Sequence, residues 1–158
     1  MSLYRRFDTS SQPSFITTNT QGRRPIFSSS NACELLIRTL YDVRNEMAFQ
    51  LLAFAVMPEH AHIILVTPPD QLGRVIQLIK GRFARSYNQR MGKTGAVWQS
   101  RYHERTLLSE RALSNAIEYV HVNPVVAGLA DRPEQYPWSS ANERYVTDLS
   151  SYFGQAEA

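Results

Sequence analysis

Two histidines flank a single alanine in "MPEHAHIIL", residues 57–65. Side chains two apart on an extended strand leave from the same face, so His60 and His62 can aim two imidazoles at one ion while Ala61 faces the other way. Imidazole suits several divalent metals and does not choose among them. A pair is an incomplete site that needs a third ligand, and with Cys33 the only cysteine of the chain no cysteine zinc cluster can be formed within it. That count also excludes a disulfide framework within the chain. The alternative reading is two structural histidines near the end of a strand.

A second group with chemical potential lies in "EYVHVNP". Tyr119 and Asn123 are four apart and stack on one side of a helix whose core stripe reads Leu113, Ala116, Ile117 and Val120. They fall on the flank of that stripe, beside the small residues Ala112 and Ala116. From there a phenol hydroxyl and a carboxamide oxygen can face a site on an adjoining strand. Otherwise Tyr119 packs at the core edge and Asn123 caps the segment before Pro124. A free tyrosine hydroxyl, with a pKa of about 10, is a poor nucleophile at neutral pH. Phosphoryl transfer to it needs a cation to neutralise phosphate oxygens and a fixed in-line approach. A metal pair and a positioned tyrosine therefore explain each other as parts of a site that attacks a phosphodiester.

The charge distribution supplies a third element. Residues 74–105 carry Arg74, Lys80, Arg82, Arg85, Arg90, Lys93, Arg101 and Arg105 against Glu104 alone, within a chain whose net charge is only +3. Such a segment is a candidate footprint for a phosphate backbone, or else a solvated helix face with its loop.

The elements that must position these groups follow from periodicity. "SFITTNT" reads as a first strand and "SSSNACELLIRTLYDVRNEM" as a helix opened by an Asn31–Glu34 capping box. "FQLLAFAVMPEHAHIILVT" is two apolar runs broken at Met57-Pro58-Glu59, hence a strand pair. "DQLGRVIQLIKGRFARSYNQR" is helical, with Leu72, Val75, Ile76, Ile79 and Phe83 on one side and the arginines largely off that stripe. "VWQSRYHERTLL" reads as a fourth strand. A last helix starts near Ser109 and stops at Asn123, since proline disfavours helical geometry in the residue before it. The tail "YPWSSANERY" is irregular, with Trp138 packing on the body. The order β-α-β-β-α-β-α predicts an α+β fold. It is a ferredoxin-like split β-α-β sheet with two helices on one face and an added C-terminal helix carrying Tyr119.

The run "MPEHAHIIL" together with "EYVHVNPVVAGL" resembles the single-tyrosine transposases of the histidine-hydrophobic-histidine endonuclease superfamily. More narrowly the chain resembles their bacterial REP-associated branch, related to small insertion-sequence transposases. "LYRRF", "RRPIF", "LIKGRFARSYN", "VWQSRYHERTL" and "YPWSS" extend the likeness over nearly the whole chain. The resemblance implies that Tyr119 is the nucleophile, with His60, His62 and Asn123 as ligands of Mg²⁺ or Mn²⁺. It implies attack on single-stranded DNA, a 5′-phosphotyrosyl link and a free 3′ hydroxyl. The substrates would be imperfect palindromes folded as hairpins, each with a short single-stranded guide, bound by a monomer or a homodimer at the nucleoid. Two positions depart from the family pattern: Ala61 is smaller than the usual residue between the histidines, and Glu59 stands where asparagine is common. We expect Glu59 to belong to the turn.

DNA contacts are expected from Lys80, Arg82, Arg85, Arg90 and Lys93 on the exposed side of the second helix and its following loop. Arg101 and Arg105 are spaced to share a strand face with His103, and the resemblance suggests Arg5 and Arg6 as an arm on the guide strand. His103 and His121 are expected at surface or packing positions. Two other functions compete. A histidine-triad nucleotide hydrolase would need a third alternating histidine, where this chain has Ile64. A hairpin-binding protein without cleavage activity would have no need of an intact His60, His62 and Tyr119.

At 158 residues, with 43% hydrophobic and 20% charged residues, the chain is expected to form one domain spanning 1–158. The amino-terminal stretch has arginines but no apolar segment of the signal-peptide type, and no apolar run approaches the roughly 20 residues of a membrane span. The expected setting is therefore the cytoplasm.

Overall fold

The computed structural model describes residues 12–157, so the expected arm of Arg5 and Arg6 lies outside the described residues. "SFITTN" forms β1 (Ser14–Asn19), with Ser14, Ile16 and Thr18 buried and the alternate residues half-buried. The two apolar runs form β2 (Gln50–Met57) and β3 (His60–Val66), joined by the turn at Pro58-Glu59. Both are buried along almost their whole length because each face of the sheet is covered there. A short edge strand β4 (His103–Thr106) completes a four-stranded sheet in the order β2-β3-β1-β4, with every neighbouring pair antiparallel. This is the strand order of the ferredoxin-like split β-α-β sheet.

Alternation along the strands builds two cores. Ile16, Ala61, Ile63 and Leu65 pack against α1 (Ser30–Met47) and α2 (Leu72–Met91) on one face. Ala53, Ala55, Ile64 and Val66 pack on the other face with Leu113, Ala116 and Val120 of α3 (Glu110–Val126) and Tyr152 of α4 (Leu149–Glu157). The seven expected elements occur in the expected order, and α4 is a further one. Cys33 is buried in the first core, where desolvation pushes its thiol up to about 12; it is a packing residue.

Three boundaries differ from expectation. The first helix is capped by Ser29, whose side chain accepts from the Ala32 N–H, and not by Asn31. Asn31 is exposed inside the first turn. The fourth strand is only four residues long, because "VW" turns into the core: Trp98 packs on Phe27 and Phe83 and donates its indole N–H to the Lys80 carbonyl. Finally, α3 runs through Pro124. The proline ring is buried on the same stripe as Leu113, Ala116 and Val120. The helix ends one turn later, where Ala127 N–H reaches the Asn123 carbonyl and Leu129 N–H the Pro124 carbonyl. Close to a helix end, the carbonyl that proline leaves unpaired is near those that would lack a partner anyway.

The tail after α3 seals the outer edge of β2. Val56 N–H donates to the Trp138 carbonyl, Ser140 N–H to the Phe54 carbonyl, and Trp138 packs against the first core. A free edge is thereby closed to pairing with other chains.

Candidate active site

The register of β1 against β3 decides what surrounds the histidines. Thr17 pairs with His62 and Asn19 with His60, so Phe15, Thr17 and Asn19 share their face. On the other side of β1, Thr17 pairs with His103 and Phe15 with Arg105. The face that carries the histidines is the one covered by α3, and α3 lies over β2 and β3. Beyond β1, all four residues of the edge strand β4 are exposed.

The two imidazoles converge. His60 Nε2 and His62 Nε2 are 3.2 Å apart, and each ring is held from behind. His60 Nδ1 lies 2.9 Å from Glu59 Oε1, and His62 Nδ1 lies 2.9 Å from Thr17 Oγ1. Glu59 is in the turn as expected, but its carboxylate reaches the neighbouring ring. His62 is buried, and desolvation, followed by the proximity of His60, pushes its imidazole down to about 4. It is therefore neutral near pH 7, the form that can ligate.

The helix α3 starts where Ser109 accepts from the Ala112 N–H, and its phase brings Tyr119 over His62 with ring centroids 5.6 Å apart. Phe15 forms the third side of this aromatic cluster, 6.0 Å from Tyr119 and 5.5 Å from His62. Tyr119 remains 54% exposed, so a substrate can reach it. One turn on, the Asn123 carboxamide lies close enough to His62 to favour its protonated form. Its Oδ1 is nonetheless buried without a hydrogen-bond partner. A buried polar atom left unpaired costs about 1–3 kcal/mol, so such an atom beside the His62 ring fits a ligand to a cation. Among the described residues no cluster of three or more His, Cys, Asp or Glu side chains could hold a metal. Among the described residues a third donor would therefore be of another type, and a carboxamide oxygen is one.

Arg105 joins the site: its guanidinium lies over the Phe15 ring at 5.3 Å. Arg101 precedes β4 instead of sharing its face, and is exposed. The remaining cations stand elsewhere, because α2 covers the opposite face of the sheet. Lys80 is turned inward, donating to the Gln99 carbonyl at 2.9 Å and lying over Tyr102. Arg82 pairs with Glu46 of α1 at 2.6 Å. Arg85, Arg90 and Lys93 are exposed on that layer. His103 is exposed, and His121 is a packing residue bonded to Ser140 at 2.7 Å. Thr17, Phe15 and Asn19 were missed by sequence reasoning: their place depends on register between distant segments, which periodicity does not encode.

Comparison with known proteins shows the family. The family described as "Transposase IS200 like" matches residues 14–123, a span that includes both histidines, Tyr119 and Asn123. The chain belongs to this family. Its members are tyrosine transposases, which are DNA strand transferases. A REP-associated tyrosine transposase of Escherichia coli K12 is 25% identical over 142 residues, covering 89% of this chain and 82% of the relative. A Haemophilus influenzae protein assigned to the same group is 26% identical over 152 residues, covering 89% and 85%. The structure of a REP-associated tyrosine transposase bound to a REP hairpin superposes with a TM-score of 0.72 at 25% identity, covering 92% of this chain and 89% of that one. No described helix of this IS200-like transposase is long and apolar enough to cross a membrane.

Proposed function

We propose that the chain is a metal-dependent, single-stranded DNA endonuclease and transposase acting on hairpin-forming palindromic repeats, with residues 1–158 forming one functional unit. The observation that carries this reading is the meeting on one sheet face of two converging Nε2 atoms, the unpaired Asn123 Oδ1 and the exposed Tyr119. The hairpin as substrate is inferred from the relative that binds a REP hairpin.

In this mechanism His60, His62 and Asn123 would hold Mg²⁺ or Mn²⁺, offering two imidazole nitrogens and one amide oxygen. Such an ion would supply charge neutralisation at the scissile phosphate. Tyr119 Oη attacks the phosphorus; the Oη–P bond forms and the P–O3′ bond breaks. The product is a 5′-phosphotyrosine and a 3′ hydroxyl, the phenol proton being lost to solvent and the leaving oxygen gaining one. Phe15, packed on both Tyr119 and His62, holds nucleophile and ligand in mutual register. Rejoining is the reverse attack by a 3′ hydroxyl.

The strand is proposed to enter over the exposed edge strand β4, where Arg105 can take a phosphate beside Phe15 and Arg101, just before the strand, another farther along. Arg85, Arg90 and Lys93, on the far layer, are proposed to hold the hairpin away from the cleaved bond. Lys80 and Arg82 already have partners within the protein.

The test is cleavage of labelled single-stranded hairpins with Mg²⁺ or Mn²⁺. A metal-dependent covalent adduct that is absent from Tyr119→Phe is expected. Hairpin binding without an adduct in either metal would instead favour a binding protein without catalysis.

A further inference from the structure

Each histidine of the pair is gripped through its outer nitrogen, and the two grips differ in chemistry. A carboxylate can only accept, so the Glu59–His60 contact at 2.9 Å fixes the proton of a neutral His60 on Nδ1 and leaves the lone pair on Nε2. A threonine hydroxyl can donate or accept. In the metal-free protein the chain of hydrogen bonds is complete when Thr17 donates to His62 Nδ1 and His62 Nε2–H donates to His60 Nε2 across 3.2 Å. A cation that takes both Nε2 atoms needs the His62 proton on Nδ1 instead. Thr17 then has only to rotate its hydroxyl and accept, with the ring unmoved.

We propose that Glu59 and Thr17 are positioning residues for the metal pair: Glu59 locks His60 in the ligating tautomer, and Thr17 lets His62 change tautomer between the metal-free and metal-bound states. This rests on the reading that His60 and His62 hold a divalent cation. Glu59 does not itself ligate in this arrangement, because its oxygen is committed to the ring nitrogen remote from the convergence point. Arg23 anchors the carboxylate, lying 3.5 Å from the same Oε1 while donating to Asn19 Oδ1 at 2.7 Å. Carboxylates that accept from the outer nitrogen of a ligating histidine typically contribute 10- to 100-fold in metal affinity.

The experiment is Mn²⁺ binding to the full chain without DNA, followed by the electron paramagnetic resonance of free Mn²⁺. Wild type would be compared with Glu59→Ala, Glu59→Gln, Thr17→Val, Thr17→Ser and His60→Ala, each checked for an unchanged melting temperature. Glu59→Ala is expected to weaken binding roughly 10- to 100-fold, with Glu59→Gln in between because an amide oxygen still accepts. Thr17→Val should weaken binding and Thr17→Ser restore it. Nitrogen NMR of the metal-free protein should find the His60 proton on Nδ1 in wild type and displaced from that nitrogen in Glu59→Ala, a change that a purely structural role would not produce. Wild-type affinity in both Glu59→Ala and Thr17→Val, with binding lost in His60→Ala, would overturn the positioning roles and leave the metal reading intact. If wild type bound Mn²⁺ no better than His60→Ala, the metal reading would fall and this proposal with it.

Discussion

Two exposed guanidiniums of the central basic segment differ in what they already hold. Arg105 is stacked on Phe15, whose ring touches both His62 and Tyr119, and no described carboxylate neutralises it by an ion pair. Arg82 is engaged by Glu46, and the two surround one another on the far layer. A phosphate that binds Arg105 gains a cation with no carboxylate to displace, whereas one that binds Arg82 must displace Glu46. Arg105→Ala is therefore expected to weaken hairpin binding and to reduce the slope of log K against log salt by about 1, the signature of one lost phosphate contact. Arg82→Ala is expected to leave that slope where it is. Fluorescence anisotropy at four or five salt concentrations would separate them, and equal slope changes in both variants would remove the distinction drawn from Glu46.

At the scale of elements, the site depends on the phase of α3, which its amino-terminal cap helps to set. Ser109 Oγ accepts from the Ala112 N–H at 3.0 Å, three turns before Tyr119. Ser109→Ala should cost about 1 kcal/mol in urea unfolding, the usual worth of such a cap, while Ser109→Asp should retain most of it. This start was legible in the sequence because a cap is a local pattern of a few residues. The end of the same helix was not: Pro124 is tolerated because its ring is buried below Val120, a tertiary fact. "VWQS" likewise has strand composition but is claimed by the core around Phe27 and Phe83. The strand and helix periods put His60 with His62 and Tyr119 with Asn123 on single faces, and the family resemblance joined the two pairs into one site. Thr17 and Phe15 could not, since a slip of one residue in β1 would send both to the opposite side of the sheet. The arginines of α2 were legible as an exposed stripe but not as residents of the layer away from the histidines, because side-of-sheet is decided by connection geometry and not by composition.

For the whole molecule, the question is what keeps the two layers joined around one sheet. Arg44, on α1, donates to both carboxylate oxygens of Asp148 at 2.7 and 2.5 Å, across 104 residues of chain. Asp148 Oδ2 also accepts from the Leu51 N–H at 2.8 Å, and Asp148 N–H donates to the Leu51 carbonyl. One residue thus ties the start of α4 to β2 and to a helix of the other layer. Both partners are only partly exposed, which makes the bidentate pair more than a surface contact. Asp148→Ala should cost about 3 kcal/mol, since it strands a half-buried guanidinium and a strand N–H. Asp148→Asn, which keeps an acceptor for Leu51, should cost less. The hydrogen bonds from Arg44 hold the Asp148 carboxyl below its ordinary value. A carboxylate depressed in the folded state contributes its full stabilisation above the unfolded pKa of about 3.9 and loses it as pH falls through the folded value. The stability gap between wild type and Asp148→Asn should therefore be constant from pH 8 to about pH 5 and close as the solution is acidified below about pH 4. Urea titrations across that range measure it directly. A gap that persists undiminished into strong acid would mean that the variant loses packing and not charge, and that the tie between layers is steric.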